Sequence, residues 1–259
     1  MGIMAIMEVV VAADSEDKLR KLVYEFGRVC ERRKLTVNVS KSKVMRCSGA
    51  TNAPGMYIPL NGVMLEEVDR FNYLGACVTS RSGCEDEITS RIGRGFQAWG
   101  MLNSVVKCRS LGVGAKRRLY EGVVVPTVLY GAETWNMRVE ERRKLNVLEM
   151  KCLRSMIGVT RRDRVRNEEV RRRTGVVKTL DQKVEQRVLR WFGHMERMNE
   201  ERLVKQVFLS SVEGRSLRGR PRMGWLDGVK IAVGERGLSL EQARTSALDR
   251  SAWTVIVND

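Results

Sequence analysis

The segment FNYLGACVTSRSG, residues 71–83, places β-prone apolar residues on both sides of one glycine and closes on a Ser-Gly pair. It reads as a short strand, a turn at Gly75, a second strand and a further turn at Ser82-Gly83. Helical periodicity begins directly after it. Ile88, Ile92, Phe96, Trp99, Leu102 and Val106 fall at helical spacing, which predicts one apolar stripe with Arg91, Arg94 and Lys107 off it. A second helical pattern passes through Leu119, Tyr120, Val123, Val124, Val128 and Leu129 to YGAETW at residues 130–135. A small β region feeding a long run of helices sets the fold class as α+β, mostly α-helical.

Upstream, residues 9–13 form a short β-prone run, after which Asp14 or Ser15 can cap a helix. That helix would bury Leu19, Leu22, Val23, Phe26, Val29 and Cys30 on one face. Alternation at Leu35, Val37 and Val39 predicts a half-buried strand, and residues 44–47 a second. Asn61-Gly62 between two apolar runs, residues 57–60 and 63–65, is a strong hairpin signal.

Downstream, the punctuation is that of successive helices. Asn136 can cap a helix whose stripe is Leu145, Leu148, Cys152 and Met156, stopped by Gly158. Asn167 can cap a short one that ends at Gly175, with Glu168 and Glu169 first and Arg171, Arg172 and Arg173 last. Thr179 with Gln182, and Ser239 with Gln242, have capping-box spacing. The Thr179 helix would carry Leu180, Val184, Val188, Trp191, Phe192 and Met195.

Charge narrows the function. The 259 residues include 47 Lys and Arg against 31 Asp and Glu, a net +16, which points to a polyanionic partner and most simply to nucleic acid. The excess is concentrated: residues 136–222 carry 24 basic and 12 acidic side chains, whereas residues 223–259 carry 4 and 5. Six cysteines, none in a CxxC pair, and a single histidine, His194, give no recognisable zinc spacing, so buried free thiols are expected. MGIMAIM at the start lacks the basic flank of a signal peptide, and no apolar run approaches a membrane span, so a soluble, intracellular protein is expected.

FNYLG followed by helices, then LYGAETW, RDRVRNEEVRRRTG, RWFGHMERM and RGRPR with a following Trp, resembles the C-terminal part of a reverse transcriptase from a non-LTR (LINE-type) retrotransposon. The resemblance covers nearly the whole chain, in the order the family has it. It implies a palm-like remnant over residues 1–83, thumb-like helices over 84–135, a basic post-thumb helical region over 136–213, and a basic loop with C-terminal helices over 214–259. In that family the YLG hairpin is the primer grip, so Asn72, Tyr73, Leu74 and Gly75 would face the primer end of an RNA–DNA hybrid. For Phe71 and Leu74 themselves a place in the core is the preferred reading, since apolar side chains at a strand turn usually pack. LTVNVSKSKVM at residues 35–45 resembles the segment after the catalytic aspartates, which would put Lys41 or Lys43 near the phosphates of an incoming nucleotide.

The same resemblance exposes a departure. The family's paired aspartates fall on Met7 and Glu8, and a thioether with one carboxylate cannot hold the two magnesium ions of nucleotidyl transfer. The family's fingers and third aspartate would lie before Met1. No catalytic residue, metal site or cofactor is therefore expected here, although the full-length family enzyme uses magnesium. Nucleic-acid contacts are expected instead from Arg161, Arg162 and Arg164, and from Arg218, Arg220 and Arg222 in RGRPR. The latter also resembles an AT-hook, in which arginines enter a narrow minor groove. The partner would be an RNA–DNA hybrid or duplex DNA, and the location nuclear. A host DNA-binding module, a subunit of a split polymerase and a fragment without function remain open. His194 reads more simply as packed or capping beside Trp191 than as a ligand.

Overall fold

Residues 9–47, 55–80, 83–210 and 223–259 are described in the computed structural model. Two units divide the chain, Met1–Glu87 and Ile88–Asp259.

In the first unit, Ser15 starts helix α1, Glu16–Arg32, by accepting a hydrogen bond from the Lys18 amide. Its buried face is Val23, Gly27 and Cys30. Val23 joins Val44, Ile58, Leu60 and Leu65 in the core of this unit. Gly27 is small because Leu60 Cδ1 lies only 3.3 Å from where a Cβ would stand. The β elements are short: β1, Lys43–Val44; β2, Pro59–Leu60; β3, Val63–Met64; and β4, Glu66–Glu67, which pairs parallel with β1. β2 and β3 form the hairpin that Asn-Gly predicts, with Asn61 at φ 51° and Gly62 at φ 79°. A second hairpin joins β5, Arg70–Tyr73, to β6, Ala76–Thr79.

The strands expected upstream are corrected here. Residues 9–13 form none, and the second expected strand shrinks to Lys43–Val44. Leu35, Val37 and Val39 lead into a 3-10 turn, Val39–Lys41, whose Lys41 amide donates to the Asn38 side chain. Val37 and Val39 still pack on the core, while Leu35 is exposed. Alternation reported which side chains turn inward, not whether a neighbouring backbone supplied a ladder.

The second unit is helical. Helix α2, Glu85–Met101, buries Ile88, Ile92, Ala98 and Trp99, and α3, Asn103–Lys107, buries Val106. Arg91, expected off the stripe, is buried with its guanidinium 4.4 Å from the Tyr130 ring centroid. Gly95 admits Val128 and Leu148 to within 2.4 and 2.8 Å of a would-be Cβ, so the helices meet closely there. Helix α4, Val113–Leu119, widens into a π turn, Tyr120–Val124, before α5, Val125–Val128. Pro126 has no N–H to return to Gly122, and the wider turn removes that requirement.

Helices α6, Val139–Met156; α7, Asn167–Thr174; α8, Leu180–Glu196; α9, Leu203–Leu209; α10, Trp225–Gly234; α11, Leu240–Leu248; and α12, Arg250–Asn258 complete the unit. Capping boxes start α8 at Thr179 and α11 at Ser239, as their spacing predicts. Asn136 and Asn167 are not caps. Helix α6 is entered through Arg138, whose amide donates to the Glu141 carboxylate at 2.9 Å, and Asn167 is already the first residue of α7. Gly158 and Gly175, both at φ 70°, end α6 and α7 as expected.

Helix α8 is the centre of the packing, with Val184, Val188, Leu189, Phe192 and Met195 buried. Phe192 meets Phe208 and Trp253, and the Trp253 indole N–H donates to the Leu189 carbonyl at 2.8 Å. Gly193 lies directly under that indole: a Cβ there would be 2.2 Å from its nitrogen. The glycine of RWFGHMERM is thus a packing requirement. The six cysteines are free, but only Cys30 and Cys152 are buried; Cys47 and Cys108 are exposed, because they lie outside the helical stripes. Burial pushes the Cys152 thiol up to about 12.

Candidate nucleic-acid interface

Seven arginines lie between residues 161 and 173, and the structure sorts them into two groups. Arg171 reaches Glu149, Arg172 forks onto Glu169, and Arg173 donates to the same carboxylate through Nε. These contacts hold the Glu169 carboxyl down to about 2, so its charge persists across the working pH range and keeps both arginines engaged. Arg161, Arg162, Arg164 and Arg166 are exposed, and their side chains form no hydrogen bond or ion pair among the described residues. Sequence alone does not separate EEVRRR from RRDRVR. The acidic partner three or four residues away on a helix does.

The loop that carries the free arginines, residues 157–166, is fastened at several points. Arg154, from the last turn of α6, donates to the Val165 carbonyl at 3.2 Å and to Asn167 Oδ1 at 2.7 Å. Asp163 accepts from the Thr160 amide at 2.6 Å and its hydroxyl at 2.8 Å, which holds the Asp163 carboxyl below its ordinary range. The amide of Val159 donates to the Arg154 carbonyl and that of Arg164 to the Arg161 carbonyl. Arg164 is itself left-handed, at φ 52°. Glu149 locks the flanking helices: 1% exposed on α6, it accepts from Arg171 on α7 at 2.8 Å and from the Leu180 amide opening α8 at 2.9 Å. Four unpaired cations on a fastened turn form a concentrated positive surface.

The other expected site residues are placed as follows. Lys41 is exposed on the 3-10 turn, whereas Lys43 forms an ion pair with Glu66, its strand neighbour. Asn72 and Tyr73 stand at the end of β5, opposite Cys77 and Ala76. Leu74 and Gly75 make the two-residue turn, at φ 46° and 82°. Leu74 is 60% exposed at the hairpin tip, which corrects the core reading for it, while Phe71 is half-buried. A branched residue in the left-handed region costs about 1–2 kcal/mol, so the turn type and not packing fixes Leu74 there. Leu74→Asn should therefore slow amide exchange in β5 and β6 about fivefold; unchanged or faster exchange would show that the leucine stabilises the tip. Arg218, Arg220, Arg222, Ser82, Met7 and Glu8 lie outside the described residues.

His194 is exposed and lies against Trp191, with ring centroids 5.3 Å apart. Among the described residues, no group of three His, Cys, Asp or Glu side chains is placed to hold a metal ion, and no helix is long and apolar enough to cross a membrane. Arg166, Lys151 and Arg154 belong with this basic face but were not singled out by sequence. The run RRDRVR could have indicated Arg166.

The chain is similar to a protein of Caenorhabditis elegans described as transposon-derived, F52C9.6, with 24% identity over 266 aligned residues that span 96% of this chain and 92% of that protein. The likeness points to a transposon-related origin. No family model matches, and no solved structure does.

Proposed function

We propose that this chain is a late-palm, thumb and post-thumb part of a LINE-type reverse transcriptase that binds nucleic acid without carrying out nucleotidyl transfer itself. The observation that supports it is the fastened loop with four unpaired arginines, together with the transposon-derived relative that matches along almost the full length. Phosphates of a template–primer hybrid or of target DNA would bind there by counterion release. The exposed β5–β6 tip at Leu74-Gly75 would meet the primer end, and a nuclear location goes with such a role.

The donor set does not fit the family's magnesium pair. Methionine at residue 7 offers a thioether, which is a poor ligand for a hard cation, and Glu8 alone supplies one carboxylate where two metals need several oxygens. Primer extension on an RNA template, with Mg²⁺ or Mn²⁺, should give no incorporation above background. Incorporation that survives repurification would contradict this part of the reading.

A further inference from the structure

Beside the arginine loop is a cleft of about 420 Å³ between the end of α6 and residues 159–167. Val147, Met150 and Val159 provide apolar lining, and Lys151, Arg154 and Arg161 provide cationic lining. Among the described residues, no carboxylate lines it. The amides at its edge are oriented by their neighbours. Asn146 Oδ1 accepts from Arg171 and Asn167 Oδ1 from Arg154, which leaves the two NH₂ groups as donors. Arg154 also keeps its Nε buried without a partner among the described residues. The cleft therefore combines an apolar lining with amide and cationic donors. Its volume lies in the range of small-ligand sites and far below what a duplex needs.

We infer that this cleft takes one unpaired nucleotide of a bound strand. This rests on the nucleic-acid-binding reading and adds a preference to it. The base lies against Val147, Met150 and Val159, its carbonyl and ring-nitrogen acceptors facing the amide donors. Its phosphate lies on Arg161 and Lys151, and the neighbouring phosphates continue along Arg162 and Arg164. A paired base cannot reach such a site without leaving the stack, so an overhang or frayed end should enter more easily than a blunt one.

The test compares the full chain's affinity for a blunt DNA duplex with that for the same duplex carrying a short single-stranded overhang, by fluorescence anisotropy. The overhang should bind about tenfold more tightly, as burial of roughly 55 Å² of the base's apolar surface allows. Val147 is 51% exposed, so V147S removes apolar surface from the cleft without disturbing the core; it should weaken the preference severalfold and leave blunt-duplex affinity unchanged. R161A should weaken both substrates. Equal affinity of the wild-type protein for the two substrates, or a preference unchanged in V147S, would overturn the cleft inference alone. Failure to bind either substrate would overturn the nucleic-acid reading with it.

Discussion

Replacing Arg161, Arg162 and Arg164 together with alanine should flatten the dependence of log affinity on log salt by about 2 to 3 units on duplex DNA. Each phosphate contact contributes about 0.9 to that slope, so near 0.1 M salt the loss should be roughly tenfold per contact. The fold should be unaffected, because these side chains are exposed and hold nothing in place. Replacing Arg172 alone gives the comparison. It is exposed to a similar degree but already engaged with Glu169, and should move the slope by well under one unit. If the loop variant kept the wild-type slope, the contacts would have to be sought elsewhere in the basic region, beginning with Arg218, Arg220 and Arg222.

Gly193→Ala should strongly destabilise the helical unit. The new Cβ would fall 2.2 and 2.3 Å from Nε1 and Cδ1 of Trp253, both parts of a rigid ring. Either the indole moves and gives up its hydrogen bond to Leu189, or α8 and α12 separate around Phe192. Overpacking together with a lost buried hydrogen bond should cost about 2–4 kcal/mol, which would lower Tm by roughly 5–15 °C for a unit of this size. Gly93→Ala, in α2 with nothing within 4 Å of the new methyl, should instead stabilise by about 0.5–1 kcal/mol. Thermal unfolding followed by circular dichroism distinguishes them. Equal Tm for Gly193→Ala and the wild-type protein would show that the two helices do not meet as described.

What the sequence made legible was local chemistry. Ser15, Thr179 and Ser239 cap helices because each needs only a hydroxyl and an amide three residues on, and Asn61-Gly62 turns because both can take positive φ. Asn136 and Asn167 looked like equivalent caps, yet Asn167 is held by Arg154 and Asn136 reaches the Met223 carbonyl, partners that only the tertiary fold supplies. Arg91 stands off the apolar stripe in sequence and is buried nonetheless, because the fold brings the Tyr130 ring to its guanidinium. The basic region was visible as a count. Which of its arginines are free was not, because the answer depends on whether Glu149 and Glu169 come within reach.

The claim that this chain binds a polyanion is tested most directly by the wild-type protein itself, with its affinity for blunt duplex DNA measured across a range of salt concentrations. Four unpaired arginines predict a straight line of log affinity against log salt with a slope of about −3.6 or steeper, similar on A·T-rich and G·C-rich sequences. A slope near zero, or no binding at low salt, would contradict it.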